Sequence, residues 1–125
     1  MSNVPSSIKL HQKSKVLSLH YADGREANLS CEYLRVHSPS AEVKGHGPGQ
    51  EVLQVGKADV NIKAVNPVGN YAILLVFDDG HDTGIFSWDY LVELTENYDN
   101  NWQHYLDRLL QAGESRDPST QVLSL

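Results

Sequence analysis

His81 is the side chain whose surroundings most invite chemistry. It follows Asp78-Asp79-Gly80 and precedes Asp82, so an imidazole and three carboxylates crowd one short turn. Imidazole with carboxylate suits zinc or ferrous iron. His37 and His46 lie in or beside other predicted loops, which makes His81, His37 and His46 the candidate metal ligands. Iron and zinc are the candidate metals. No histidine pair has the tight spacing of a helical ligand motif, so the plainer alternative is a set of solvated loop polars. Cys31 is a second candidate. It follows Ser30 at the start of a predicted helix, where a thiol pKa can fall and create a nucleophile. That position equally suits a small packed residue, and Ser30 and Ser87 are better explained as caps than as nucleophiles. The run Gly45-His46-Gly47-Pro48-Gly49-Gln50 is glycine-rich like a phosphate loop. It lacks the Lys-Ser/Thr ending and no strand leads into it, so a recognition loop fits better. Together with Asp78, Asp79 and Asp82 it forms the candidate interaction surface.

These residues must be held by the elements around them. Ala72–Tyr90 reads as a buried strand, a tight turn, a second strand and a helix start. Leu19–Leu34 repeats that order: strand, Asp-Gly, strand, then Ser-x-x-Tyr-Leu. The pairing sets Asp23-Gly24 beside Asp79-Gly80, Ser30 beside Ser87, and Arg25 in the place of His81. Asp-Gly between alternating apolar strands predicts a two-residue type I′ hairpin, with positive φ at both central residues. The serines predict helix N-caps, and Pro39 predicts the end of the first helix. Two hairpin-plus-helix units therefore predict an α+β domain with a small antiparallel sheet. Ile8–Leu10 could add an edge strand. Ser38–Lys57, rich in glycine and proline, predicts a long loop. Val60–Val65 predicts a strand, Pro67–Asn70 a turn, and Tyr71–Phe77 a central strand covered on both sides. Asn97–Asn100 predicts a helix break. Trp102, Tyr105, Leu106, Leu109 and Leu110 then form an amphipathic stripe, with Gly113 as the C-terminal cap.

The 125 residues fit one domain, ordered over 8–112, with 1–7 and 114–125 as flexible termini. The net charge of −6 and pI of 5.4 argue against nucleic acid, which needs a basic face, and against anionic membrane surfaces. The aromatic residues are mostly core by their periodicity. A single cysteine excludes an internal disulfide and fits a reducing, cytoplasmic setting. The first ten residues have no apolar signal-peptide core, and no apolar run approaches the ~20 residues of a membrane span.

Four runs occur in order: Tyr33–Val43, Gly45–Gln50, Asn66–Tyr71 and Phe77–Leu91. Together they resemble the gamma-butyrobetaine hydroxylase-like N-terminal domain, a family long catalogued as of unknown function. The resemblance covers about residues 8 to 112. It implies a small α+β fold which, in hydroxylases, precedes a dioxygenase domain and holds a structural zinc through three cysteines and a histidine. It also implies an association, in other relatives, with iron–sulfur cluster carriers. Here Ser38, Ser40 and Val43 stand in the cysteine places, and His81 alone keeps the histidine place. A zinc site would have to be absent or rebuilt around His81 with His37 or His46. The chain carries no dioxygenase facial triad, so hydroxylation is not expected. The expectation is a non-enzymatic accessory or adaptor domain linked to iron or iron–sulfur metabolism. Its partner would be a protein such as a cluster carrier or an oxygenase. The alternative is a metal-binding protein built on His81.

Overall fold

A computed structural model describes residues 2–118. The chain runs β1 (Ser7–His11), β2 (Val16–His20), β3 (Glu26–Ser30), α1 (Cys31–Val36), α2 (Ala41–Lys44), β4 (Ile62–Val68), β5 (Ala72–Phe77), β6 (Gly84–Ser87), α3 (Trp88–Glu96) and α4 (Tyr98–Ala112). It is an α+β fold, as the sequence pattern predicts. The repeat is larger than the hairpins suggest. Each unit is a three-stranded antiparallel meander followed by a helix, and each forms its own sheet, β1-β2-β3 and β4-β5-β6.

The correspondence reaches individual bonds. Ser30 and Ser87 cap α1 and α3 by accepting from the amides of Tyr33 and Tyr90. The first turn closes with Tyr21 N–H donating to Arg25 O and the second with Phe77 N–H donating to His81 O, both at 2.9 Å. Gly24 and Gly80 have φ of 93° and 91°, but neither Asp23 nor Asp79 has positive φ. The turns are therefore not type I′. Each is a longer connection with one left-handed glycine, the geometry of a bulged hairpin loop.

The two units share one core. Leu17, Leu19 and Leu29 from the first sheet pack with Ile62, Leu75, Phe77 and Phe86 from the second, and with Tyr33, Leu34, Leu91 and Leu94 of the helices. Two tyrosines cross between the units: Tyr33 Oη donates to Leu94 O and Tyr90 Oη to His37 O, each at 2.6 Å. Burial pushes the Tyr33 phenol up to about 12. A second, smaller cluster places Tyr105 and Leu109 of α4 against Val36 at the end of α1. Leu110, counted in the apolar stripe, is 81% exposed.

Three local expectations are corrected. Pro67 lies inside β4 rather than in a turn. β4 is an edge strand, where an amide is not required on the outer side. The helix break is confined to Asn97, which ends α3 at φ −105° and ψ 21° before α4 begins at Tyr98. The long glycine-rich connection contains α2, one turn capped by Ser40. The remainder of that connection is tied down: Tyr105 Oη donates to Gln54 O at 2.7 Å, and Gly56 N–H to Ser115 O at 2.9 Å. At the C-terminal side, Arg116 forms a bidentate pair with Glu32, at 2.7 and 2.6 Å. Of the segment read as a flexible tail, residues 119–125 lie outside the described residues.

Candidate functional site

The β5–β6 turn sets His81. Asp79 Oδ1 accepts from the His81 amide at 3.2 Å, and Gly80 takes the left-handed conformation that folds the chain back. The imidazole then points inward and leaves His81 only 3% exposed, beside the Phe77 ring. Opposite it runs the link from α1 to α2. Ser38 Oγ lies 2.8 Å from His81 Nε2, and Glu42 Oε2 lies 3.0 Å from Nδ1. Ser40, capping α2, bonds Thr83 Oγ1 at 2.7 Å, and Thr83 donates to Glu42 Oε1 at 3.3 Å. The Ser40 amide donates to Ser38 Oγ at 3.3 Å.

One proton arrangement satisfies every member. Glu42 Oε2 accepts from Nδ1–H, Nε2 accepts from the Ser38 hydroxyl, and Ser38 accepts the Ser40 amide. Gly84 makes room for it: a Cβ there would come closer than 3.0 Å to Ser38 Oγ and within 3.1 Å of the Phe86 ring. This network of five side chains stitches the α1–α2 link to the β5–β6 turn.

Serine, histidine and carboxylate in this order are the geometry of an acyl-transfer triad. Burial argues against that chemistry. Ser38 is 0% exposed, so a substrate carbonyl has no approach to its oxygen. Clefts open beside Leu106–Pro118 and between His37 and Arg108, but neither is lined by Ser38 or His81.

The predicted ligands are not assembled. His37 closes the end of α1, with Nδ1 3.0 Å from Tyr33 O. Burial holds His37 below the usual imidazole range, and Lys44, Arg108 and His104 add to this against the Tyr33 bond. His46 sits exposed on the Gly45–Gln50 loop. No group of three or more His, Cys, Asp or Glu placed to hold a metal ion occurs among the described residues. Both His81 nitrogens are engaged, by Ser38 and by Glu42. Ser38, Ser40 and Val43 offer two hydroxyls and a buried isopropyl group, which do not fit zinc as thiolates would.

Asp79 is also a structural residue. It takes Arg35 at 2.8 Å and Lys57 at 2.6 Å. Burial alone would raise its carboxyl, but Lys57, the His81 amide and Arg35 outweigh it and hold it below the usual range. Asp78 and Asp82 are exposed. Cys31 is fully buried, with Sγ 3.6 Å from Asn61 Oδ1, and burial pushes its thiol up. This overturns the helix-activated nucleophile: packing outweighs the first turn of a six-residue helix. The roles of Ser38, Glu42 and Thr83 beside His81 are not legible in the sequence as a hydrogen-bonded unit. Ser38 and His81 are 43 residues apart, and no local motif joins them.

Two meander-plus-helix units, joined by a polar network that runs from buried Ser38 and His81 out to exposed Glu42, define a small α+β domain. The chain belongs to the gamma-butyrobetaine hydroxylase-like N-terminal family, whose model matches residues 8–92. It is similar to two proteins solved by NMR in solution. The first has 52% identity and a TM-score of 0.81 over 98% of this chain and 96% of that one. The second has 47% identity and a TM-score of 0.78 over 99% and 97%. A crystal structure from Acidithiobacillus ferrooxidans ATCC 23270, of a protein of unknown function in the DUF971 family, shares 39% identity. Its TM-score is 0.63 over 74% of this chain and 93% of that one. No curated protein matches the chain.

Proposed function

We propose that this chain is a non-enzymatic accessory domain that binds a protein partner. The carrying observation is the closed Ser38–His81–Glu42 network. It ties up the residues best suited to catalysis or metal ligation and seals Ser38 from solvent. What remains for function is the outer surface where that network emerges. Glu42, whose side chain is 62% exposed, bonds His81 and Thr83 beyond the β5–β6 turn. It thereby fixes α2, from which the Gly45–Gln50 loop departs, against the Asp78–Asp82 turn. With Asp79 held by Arg35 and Lys57, the contact residues are Asp78, Asp82 and the Gly45–Gln50 loop. Their exposed carboxylates favour a basic partner surface. The family resemblance directs the search toward iron or iron–sulfur metabolism, with a cluster carrier or an oxygenase as the partner class.

The test is affinity capture with the untagged wild-type chain and a D78A/D82A variant, alongside metal analysis and a fluorophosphonate probe. A partner held by the wild type and lost by the variant supports the reading. Stoichiometric bound metal, or covalent labelling that disappears in S38A, overturns it.

A further inference from the structure

The chain is acidic, with 16 Asp and Glu against 10 Lys and Arg, yet its charge is not evenly spread. Of its four arginines, Arg25, Arg35 and Arg116 each hold a carboxylate. Arg108 is the exception among the described residues. Its Nη2 reaches only the Glu51 backbone oxygen, at the outer limit of 3.5 Å. Lys44, in the last turn of α2, likewise forms no ion pair among the described residues, and its ammonium lies 5.0 Å above the Tyr90 ring. Both residues line one cleft of about 220 Å³, with His37 and His104 on its walls. Glu51 is the acidic residue lining it, and the Gly49 amide holds that carboxylate at 3.4 Å. The floor is pre-set: Tyr105 is anchored to Gln54 O, Asn101 to Tyr33 Oη, and His37 to Tyr33 O.

We propose that this cleft, between α2, the end of α1 and α4, binds a small doubly charged oxyanion such as a phosphate or a dicarboxylate. Arg108, on α4, supplies a planar fork, which matches either group bidentately, and Lys44, on α2, supplies a point charge. Glu51 stands at the site as a resident competitor for the same two cations. The site is separate from the Ser38–His81–Glu42 network and does not depend on the adaptor reading.

The test is a titration of the ¹⁵N-labelled chain with inorganic phosphate and, separately, with succinate, at constant ionic strength. Saturable shifts confined to residues around Val36, Lys44, His104 and Arg108 are expected from at least one of them; which one saturates distinguishes phosphate from dicarboxylate. R108Q and K44Q should each weaken binding tenfold or more, E51Q should tighten it, and K63Q, on β4, should leave it unchanged. Shifts that never saturate, that spread equally over Lys9, Lys13 and Lys63, or that persist unaltered in both R108Q and K44Q would overturn the proposal. An unchanged spectrum elsewhere in each variant confirms that the fold is intact.

Discussion

Gly84→Ala puts the polar network under a direct steric load. A methyl group at this position comes closer than 3.0 Å to Ser38 Oγ, and ordinary contact begins at 3.4 Å. Ser38 is fully buried and cannot swing into solvent, so the link from α1 must shift. The overpacking costs about 1–3 kcal/mol. Displacing Ser38 also leaves His81 Nε2 without its donor, and an unsatisfied buried group costs about 1–3 kcal/mol more. The reduced freedom of the unfolded chain returns about 0.4–1 kcal/mol. The net loss expected is about 2–4 kcal/mol, read as a lower urea midpoint at unchanged slope. The decisive measurement is a double-mutant cycle with Ser38→Ala. S38A alone costs about 1–3 kcal/mol by orphaning Nε2, and it also removes the oxygen that the added methyl group strikes. The double variant should therefore lose clearly less than the sum of the two single losses, the remainder being the methyl group's 3.1 Å contact with the Phe86 ring. Strictly additive losses, or a neutral G84A, would refute the account of Gly84 as the residue that admits Ser38 to His81.

Three further outcomes follow from the same geometry. Asp79 has a lowered carboxyl pKa in the folded state, so its contribution is full above the ordinary value of 3.8 and is lost as the pH falls through the folded value. Stability curves of D79N should lie below wild type at neutrality, by about 1–3 kcal/mol, and converge with it in acid. Removing the guanidinium in R116A leaves Glu32 buried without its partner; with Arg116 itself 44% exposed, the expected cost is about 1–3 kcal/mol by urea denaturation. Cys31 should react with iodoacetamide at pH 8 at least tenfold more slowly in the native chain than in urea, by mass spectrometry, and native labelling at the unfolded rate would contradict its burial.

The features legible in the sequence are those with a local cause. Ser30, Ser87 and Gly113 act on amides and carbonyls within a few residues, and each caps the helix expected of it. The Asp-Gly signals locate both turns but not their type, because one extra residue in the loop relieves the aspartate of positive φ. The one-turn helix α2 is hidden by the composition around it; its signal is Ser40 followed by Glu42, a cap with an acidic first turn. The family resemblance does single out Ser38, Ser40 and His81 as positions that belong together. What neither pattern nor resemblance carries is the replacement chemistry. Thr83 and Glu42 complete the network through contacts formed only when the two units close on each other, across separations of 39 to 43 residues.

The crossed tyrosines bear on symmetry. Tyr33 serves a carbonyl at the end of α3, and Tyr90 serves one just beyond the end of α1. Each unit thus carries both a donor and an acceptor that it does not use internally, in matching positions. A single unit standing alone would be complementary to its own copy, with the exchange repeated about a two-fold axis, which is the signature of an isologous dimer. The chain makes that exchange inside one molecule. His81 and Arg25, at equivalent turns, mark where the two units differ: one side chain folds inward to join the serines, the other lies on the rim over Tyr21.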